Sequence, residues 1–266
     1  MEPLLPNSDY GKTFGTVLVI GGTGGLGTAI TEAFVKGGCK VFVTCRKVTP
    51  KLSELDVQVL EGVDMRDPDG PKNLVSKLGG EVFDTVMVIA GYFTTECLGN
   101  MSRDEQLKMF EICAIGPIRY VDGLYSGGSL KSGSRVGFIT SEGGSMGLRT
   151  EREGGGNYGH HGSKAAQNMM CLMLSYDLKP HGVPVVMIHP GFMKTEMTAD
   201  KYADKYEEFG AVFPHEAAPF IVDCVARLEL ETTGRFVSAM GSKGLGLGYY
   251  ALKDPENMKP GCDLPW

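Results

Sequence analysis

The 266-residue sequence predicts an α/β chain, a doubly wound parallel sheet of about seven strands with helices on both faces. Three observations carry that prediction. Short, continuous apolar runs alternate with amphipathic segments along the chain. The first apolar run ends in a glycine cluster that leads straight into a helix-spaced segment. No internal repeat and no Pro- or Ser-rich linker interrupts the alternation, so one domain over residues 13–266 follows a short N-terminal extension, residues 1–12.

Thr16–Ile20 is short, unbroken and rich in Val, as a strand buried on both faces should be. Gly21-Gly22-Thr23-Gly24-Gly25-Leu26-Gly27 follows it. Leu26, Ala29, Ile30, Ala33 and Phe34 then recur at helical spacing. Glycines in a strand-to-helix turn let the backbone bend tightly and approach a ligand closely. The helix start beyond them offers unpaired N–H groups and a positive dipole end, which suits a pyrophosphate. Further strands are expected at residues 41–45, 57–63, 85–90, 135–140, 183–189 and 235–240. Helices are expected at 68–78, from a capping box at Ser102-Arg103-Asp104-Glu105, at 162–178 and at 214–228. A ligand should lie at the carboxyl ends of the strands. Residues 142–157 form the longest irregular stretch, with six glycines and the charges Arg149, Glu151, Arg152 and Glu153. It follows a strand end, so it either borders the cleft or is a solvated surface loop.

Composition narrows the function class. A net charge of −6 gives no basic footprint for nucleic acid. Seven cysteines, odd in number and with no Cys-x-x-Cys pair, argue against a zinc site or a disulfide framework and for a reducing, cytoplasmic setting. Neither a signal peptide nor a run of eighteen apolar residues is present, so no membrane partner is expected. At the end of the second strand stands Thr44-Cys45-Arg46-Lys47, without a carboxylate to hold the ribose hydroxyls of NAD. Arg46 can pair with a 2′-phosphate, and Lys47 adds charge, which favours NADP(H) over NAD; a basic strand end simply exposed to water is the competing explanation.

These residues resemble the short-chain dehydrogenase/reductase family over nearly the whole chain. The glycine turn is similar to that family's Thr-Gly-x-x-x-Gly-x-Gly, with Ile20 in the Thr place and Gly21, Gly25 and Gly27 as the glycines, which places Thr23 and Leu26 beside the phosphates. Asp64 matches the aspartate that touches adenine, and Val88-Ile89-Ala90-Gly91 occupies the place of Asn-Asn-Ala-Gly. Ser141 stands where the family carries its catalytic serine, and Ser163-Lys164-Ala165-Ala166 matches the segment around its catalytic lysine. Pro190-Gly191, with Thr195 four residues on, matches the motif flanking the nicotinamide. The resemblance implies a single-domain Rossmann fold and an oxidoreductase acting on a small-molecule substrate. It also implies a homodimer or homotetramer paired through the lysine-bearing helix. Met169, Met170, Cys171, Met173 and Leu174 could make that contact, and core packing would explain them equally.

Two departures from the pattern matter. The family's proton-donating tyrosine should lie four residues before Lys164, where this chain has His160. The asparagine that holds a relay water should precede Gly116-Pro117 by three, where it has Cys113. Tyr158, six residues before the lysine, falls on another side of a helix unless the helix begins only at Gly159. His160 is either a donor near neutral pH or a structural histidine, and the neighbouring lysine cation should lower its pKa.

Carbonyl reduction without a proton donor should slow by about 100- to 10,000-fold, whereas an iminium carbon is already cationic and needs hydride alone. Three readings follow. The first is an NADPH-dependent reductase of a carbonyl or iminium, resembling fungal secondary-metabolism members in alkaloid biosynthesis that lack the tyrosine. The second is a non-redox isomerase or cyclase of Diels–Alderase type on the same scaffold. The third is a non-catalytic NADP(H) sensor. Residues 195–213, with Met197, Tyr202, Tyr206, Phe209 and Phe213, are expected to form an apolar, aromatic-tolerant lid, or else a plain amphipathic segment.

Overall fold

The structure, a computed structural model, describes residues 10–266. Residues 1–9 of the expected extension lie outside the described residues. The remainder of that extension joins the domain: a short helix α1 (Tyr10–Phe14) precedes the first strand, and Tyr10 and Phe14 are buried edge-on against each other and against Phe34.

Eight strands form one sheet in the order β3-β2-β1-β4-β5-β6-β7-β8. They are β1 (Thr16–Ile20), β2 (Lys40–Cys45), β3 (Gln58–Glu61), β4 (Phe83–Val88), β5 (Leu130–Ile139), β6 (Val185–His189), β7 (Arg235–Ser238) and β8 (Cys262–Asp263). The first seven run parallel. The eighth, a two-residue edge strand that the sequence reading did not include, pairs antiparallel with β7. β6 is buried at every position, as β-branched strands covered on both faces must be. Two apolar cores flank the sheet. One contains Ile30, Phe34 and Ile221, from the helices α2 (Gly25–Lys36) and α9 (Pro214–Ala226). The other contains Leu74, Tyr120 and Cys171, from α4 (Gly70–Leu78), α6 (Gly116–Ser126) and α7 (Tyr158–Leu178). Three further short helices are α3 (Pro50–Ser53), α5 (Arg103–Phe110) and α8 (Glu196–Tyr202), and a single π-helical turn, Glu111–Ile115, joins α5 to α6. Among the described residues no helix is long and apolar enough to cross a membrane.

The strand order reverses between β1 and β4, and sheets of this kind bind ligands at the carboxyl ends of the strands at such a switch point. Two local features differ from expectation for identifiable reasons. Ser102 does cap α5, its Oγ accepting the Glu105 N–H at 3.3 Å, but the Glu105 carboxylate does not complete the box; it accepts the Tyr92 hydroxyl proton at 2.6 Å. Helix α7 begins at Tyr158, four residues before the expected start, despite Gly159 and Gly162. Buried Glu96 explains the extension: its carboxylate accepts the Gly159 N–H at 2.6 Å, a negative charge set on the positive end of the helix. Asn157 makes the bend with φ 48°, a left-handed conformation that asparagine tolerates.

Candidate functional site

The glycine turn is shaped by contacts that leave no room for side chains. Gly21 has φ 93°, and a Cβ there would stand 2.6 Å from the Ala90 amide nitrogen. A Cβ on Gly27 would run into the Gly21 carbonyl. The turn is held to β2 by Gly21 N–H donating to Thr44 Oγ1 at 3.2 Å and Gly22 N–H to the Thr44 carbonyl at 3.2 Å. Helix α2 then starts from Gly24, with no side-chain cap on its N–H groups. Nothing lies within 4 Å of where a Gly24 Cβ would be. A glycine cradle, uncapped helix amides and open space together fit a dinucleotide pyrophosphate.

Other sequence-predicted residues gather around this turn. Thr195 faces Gly25, its methyl 3.3 Å from where a Gly25 Cβ would stand. The Ala90 amide donates to the Ile20 carbonyl at 3.0 Å, which sets Ala90-Gly91 at the tip of β4 beside Gly21. Arg46 and Lys47 are exposed past the end of β2, and neither makes an ion pair within the described residues, so both charges are available to a phosphate. Asp64 holds the Arg66 N–H on one carboxylate oxygen at 2.9 Å, and its carbonyl receives the Tyr120 hydroxyl at 2.8 Å.

On the catalytic side, Ser141 Oγ accepts the Gly143 N–H at 3.0 Å, which leaves its own proton to donate. Lys164 is buried, and its Nζ donates to the Ile139 carbonyl at 3.1 Å and to Gln167 Oε1 at 2.9 Å. The residues after Ser141 pack directly on α7: a Cβ on Gly144 would stand 2.6 Å from the Lys164 carbonyl carbon, and one on Gly143 would stand 3.1 Å from His160 Cε1. His160 therefore stands beside the serine loop, one helical turn before Lys164. Its ring meets Phe93 edge-on at 4.9 Å. Burial, and then the charges of His161, Lys164 and Arg149, hold its pKa well below the usual histidine value, so it is neutral at neutral pH. Tyr158 is exposed, and its hydroxyl lies 3.4 Å from where a Gly155 Cβ would be, on the loop rather than among these groups. Cys113, in the π-helical turn, takes the Tyr92 N–H on its sulfur and donates its thiol proton to the Tyr92 carbonyl, both at 3.3 Å.

The stretch 142–157 borders this region and is tied down by charge. Arg149 is ion-paired with both Glu142 and Glu153, and its Nε donates to the Ser145 carbonyl at 3.2 Å. Arg152 stacks on the Tyr250 ring at 3.7 Å, and Glu151 is exposed. The C-terminus locks beneath it, with Ser145 Oγ donating to the Pro265 carbonyl at 2.6 Å and Gly147 N–H to the Trp266 carbonyl at 2.8 Å.

Several residues that the sequence left unmarked complete the arrangement. Buried His189 accepts the Glu142 N–H on Nδ1 at 3.1 Å and donates from Nε2 to the Gly244 carbonyl at 3.1 Å. That same carbonyl receives the Phe192 N–H at 2.7 Å, so one imidazole links the serine loop to the Pro190-Gly191 segment, where Gly191 has φ 99°. An aromatic wall runs from His160 through Phe93, Tyr202 and Phe192 to Tyr206 and Phe209. Segment 195–213 is fastened across it. Lys201 Nζ donates to the Phe93 carbonyl at 3.1 Å, and Asn157 Nδ2 to the Tyr202 hydroxyl at 3.2 Å. Met197 and Phe213 face solvent instead. On α7 the two packing alternatives divide by residue: Cys171 is core, while Met169 and Met173 are exposed.

Comparison with known proteins shows the family. The family model described as short chain dehydrogenase matches residues 15–206. The 1-hydroxy-2-glutathionyl-2-methyl-3-butene dehydrogenase of Rhodococcus sp. (strain AD45) is 31% identical over 229 residues, which is 85% of this chain and 97% of that protein. A short-chain dehydrogenase/reductase from Burkholderia multivorans, solved with bound NADP, is 25% identical with a TM-score of 0.71, covering 88% of this chain and 99% of that one. BdcA, solved in complex with NADPH, shares the fold at 21% identity with a TM-score of 0.73, over 87% of this chain and 94% of that one. With that family model matching most of the chain and a relative 31% identical over nearly its whole length, the chain belongs to the short-chain dehydrogenase/reductase family.

Proposed function

We propose that the chain is an NADP(H)-dependent reductase of a small, apolar organic substrate that arrives already activated, with a C=N⁺ iminium as the chemical class. One observation carries the reading. The position one turn before Lys164 holds His160, neutral and set against Phe93, and Tyr158 points its hydroxyl at the Gly155 loop. Among the described residues no phenol is hydrogen-bonded to Lys164 to protonate a ketone oxygen.

In this assignment Gly21, Thr23, Gly25, Leu26 and Gly27 hold the pyrophosphate, Arg46 the 2′-phosphate and Asp64 the adenine. Lys164 grips the nicotinamide ribose, with Ala90, Gly91, Pro190, Gly191 and Thr195 around the nicotinamide. A bound dinucleotide would supply a hydride, whose addition to an iminium carbon would give a neutral amine and need no proton from the enzyme. Ser141 donates its hydroxyl proton to a polar atom of the substrate and orients it. His160 contributes a neutral ring to the wall. Aromatic faces favour a cation, which suits Phe192 and Tyr202 to this substrate class, while Lys201 already stands over the Phe93 ring at 4.8 Å. Resemblance to tyrosine-lacking reductases of fungal alkaloid pathways supports the same chemistry and a role in secondary metabolism. The exposed Met169, Met173 and Tyr176 of α7 support pairing with a second copy of the chain.

The test is loss of NADPH absorbance with a cyclic iminium and with the ketone of matching shape. The iminium should be reduced and the ketone turned over at least about 100-fold more slowly. Lys164→Ala should abolish reduction, and His160→Ala should leave the iminium rate nearly unchanged. Product formed without net cofactor consumption would replace this reading by the isomerase or cyclase. Tight NADPH binding without turnover across carbonyls and imines would replace it by the sensor.

A further inference from the structure

Lys164 Nζ makes its hydrogen bonds among the described residues to one backbone carbonyl and one amide oxygen. Its ammonium sits between the Ile139 carbonyl at 3.1 Å and Gln167 Oε1 at 2.9 Å. Gln167 lies three residues on, on the same buried face of α7, with no exposed surface. A buried amide is costly unless it is paired, and an apolar side chain of similar volume would avoid that cost. Gln167 is only half repaid by protein, since its Nε2 has no partner there, and neither amide atom of buried Asn168 on the next position has one. Atoms of this kind are satisfied by ordered water. The one side-chain hydrogen bond that Gln167 makes among the described residues is to Lys164.

We propose that Gln167 is a positioning residue for Lys164: its Oε1, with the Ile139 carbonyl, holds the buried ammonium fixed and charged where the cofactor ribose is to be bound. The inference rests on the cofactor-gripping role given to Lys164 above. Burial works against it, pulling the lysine below its usual pKa. The other titratable groups around the ammonium give little help at neutral pH. The Cys113 and Cys171 sulfurs are near the ammonium, and burial pushes the Cys171 thiol up, which keeps it uncharged at neutral pH. His160 on the first turn of α7 and His189 on β6 feel the lysine charge and are held neutral. The fixed amide and carbonyl oxygens are what favour the charged form.

The experiment is NADPH titration of the full chain, followed by cofactor fluorescence across neutral to alkaline pH, for the wild type, Gln167→Leu, Gln167→Glu and Lys164→Ala. Thermal melts run alongside. Gln167→Leu should bind NADPH about tenfold more weakly, as loss of a hydrogen bond to a charged group predicts, and its affinity should fall away at lower pH than that of the wild type. Gln167→Glu should recover the affinity and hold it to higher pH than the wild type. Packing alone would shift the two variants alike. Equal affinities and equal pH profiles in Gln167→Leu and wild type overturn the proposal, as do parallel shifts in both Gln167 variants. If Lys164→Ala binds NADPH as tightly as the wild type, the assignment of Lys164 itself fails, whatever the Gln167 variants do. Should Gln167→Leu not fold, the direction of the Gln167→Glu shift decides.

Discussion

Replacing His189 by glutamine should flatten the chain's loss of stability in mild acid. His189 is buried on β6 and makes one hydrogen bond through each ring nitrogen, accepting from the Glu142 N–H and donating to the Gly244 carbonyl. That pattern fixes the neutral tautomer with the proton on Nε2. Burial, aided by the charges of Arg149 and Lys164 and opposed by the Gly244 bond, brings its pKa down to about 4 from 6.5. The folded state then refuses a proton that the unfolded chain accepts. Between pH 6.5 and about 4 the unfolded state binds more protons, so stability is complete above 6.5 and falls as the pH drops through that window. Integrated from pH 7 to pH 5, this one group costs about 2 kcal/mol. Glutamine does not titrate and can keep only part of the pair of bonds, so the variant should be less stable than the wild type by about 1–2 kcal/mol at pH 7. At pH 5 that gap should close or reverse. His161, also lowered to about 4 by burial and Arg149, titrates in both proteins and cancels from the difference. Urea unfolding followed by circular dichroism at pH 5, 6 and 7 measures the gap. A gap of the same size at pH 5 and pH 7 would refute the argument.

Two further substitutions test the cofactor and helix assignments. Arg46→Ala should weaken NADPH binding by about tenfold or more and leave NADH binding unaltered, because only the former has a 2′-phosphate for the guanidinium; calorimetry that finds equal losses for both removes Arg46 from that role. Glu96→Gln keeps an oxygen for the Gly159 N–H but removes the charge from the start of α7, and should destabilise the chain by about 1 kcal/mol at pH 7 in urea unfolding, with Glu96→Ala worse. Unfolding curves for Glu96→Ala that overlie the wild type would show that something else holds the early turns of α7.

The seven parallel strands were legible because each lies in a short apolar run, and the parallel sheet follows from their alternation with helices; the antiparallel edge strand, Cys262–Asp263, carries no such signal. The glycine turn was legible for the same reason: Gly21 and Gly27 are required by close backbone approach, and such positions show in a single sequence. Side-chain choices made across the fold did not show. Gln167 reads as one more polar residue on a helix until Ile139 and Lys164 are seen around it. Glu96 comes sixty-odd residues before the helix that it caps, so no local pattern marks the cap, and α7 was expected to begin too late. His189 looked like the last residue of a strand, because its two partners, Glu142 and Gly244, are distant in the chain. Helix α6 was not among the expected elements, although Pro117 is well placed in a helix's first turn.

The two departures from the family pattern fit one another. In the family, as the resemblance implies, the asparagine serves a water that serves the lysine and tyrosine, so it is useful only while a phenol must be reprotonated. With His160 at the phenol's place, that route has no end point. Cys113 then fills the π-helical turn with a thiol that exchanges a pair of hydrogen bonds with the Tyr92 backbone, clamping the turn to the segment after β4. Ser141 and Lys164 are retained, and they are the members that can orient a substrate and hold a cofactor without passing a proton between them. A chain that had merely decayed would have no need to rebuild a partner for its buried lysine. Gln167 provides that partner here, which favours continued use of the lysine's charge over relic status. Restoring only Cys113→Asn should therefore leave ketone reduction as slow as in the wild type, while His160→Tyr, alone or with it, is the change that should raise the rate. A faster ketone reaction from the asparagine alone would mean that a proton route survives through some other group.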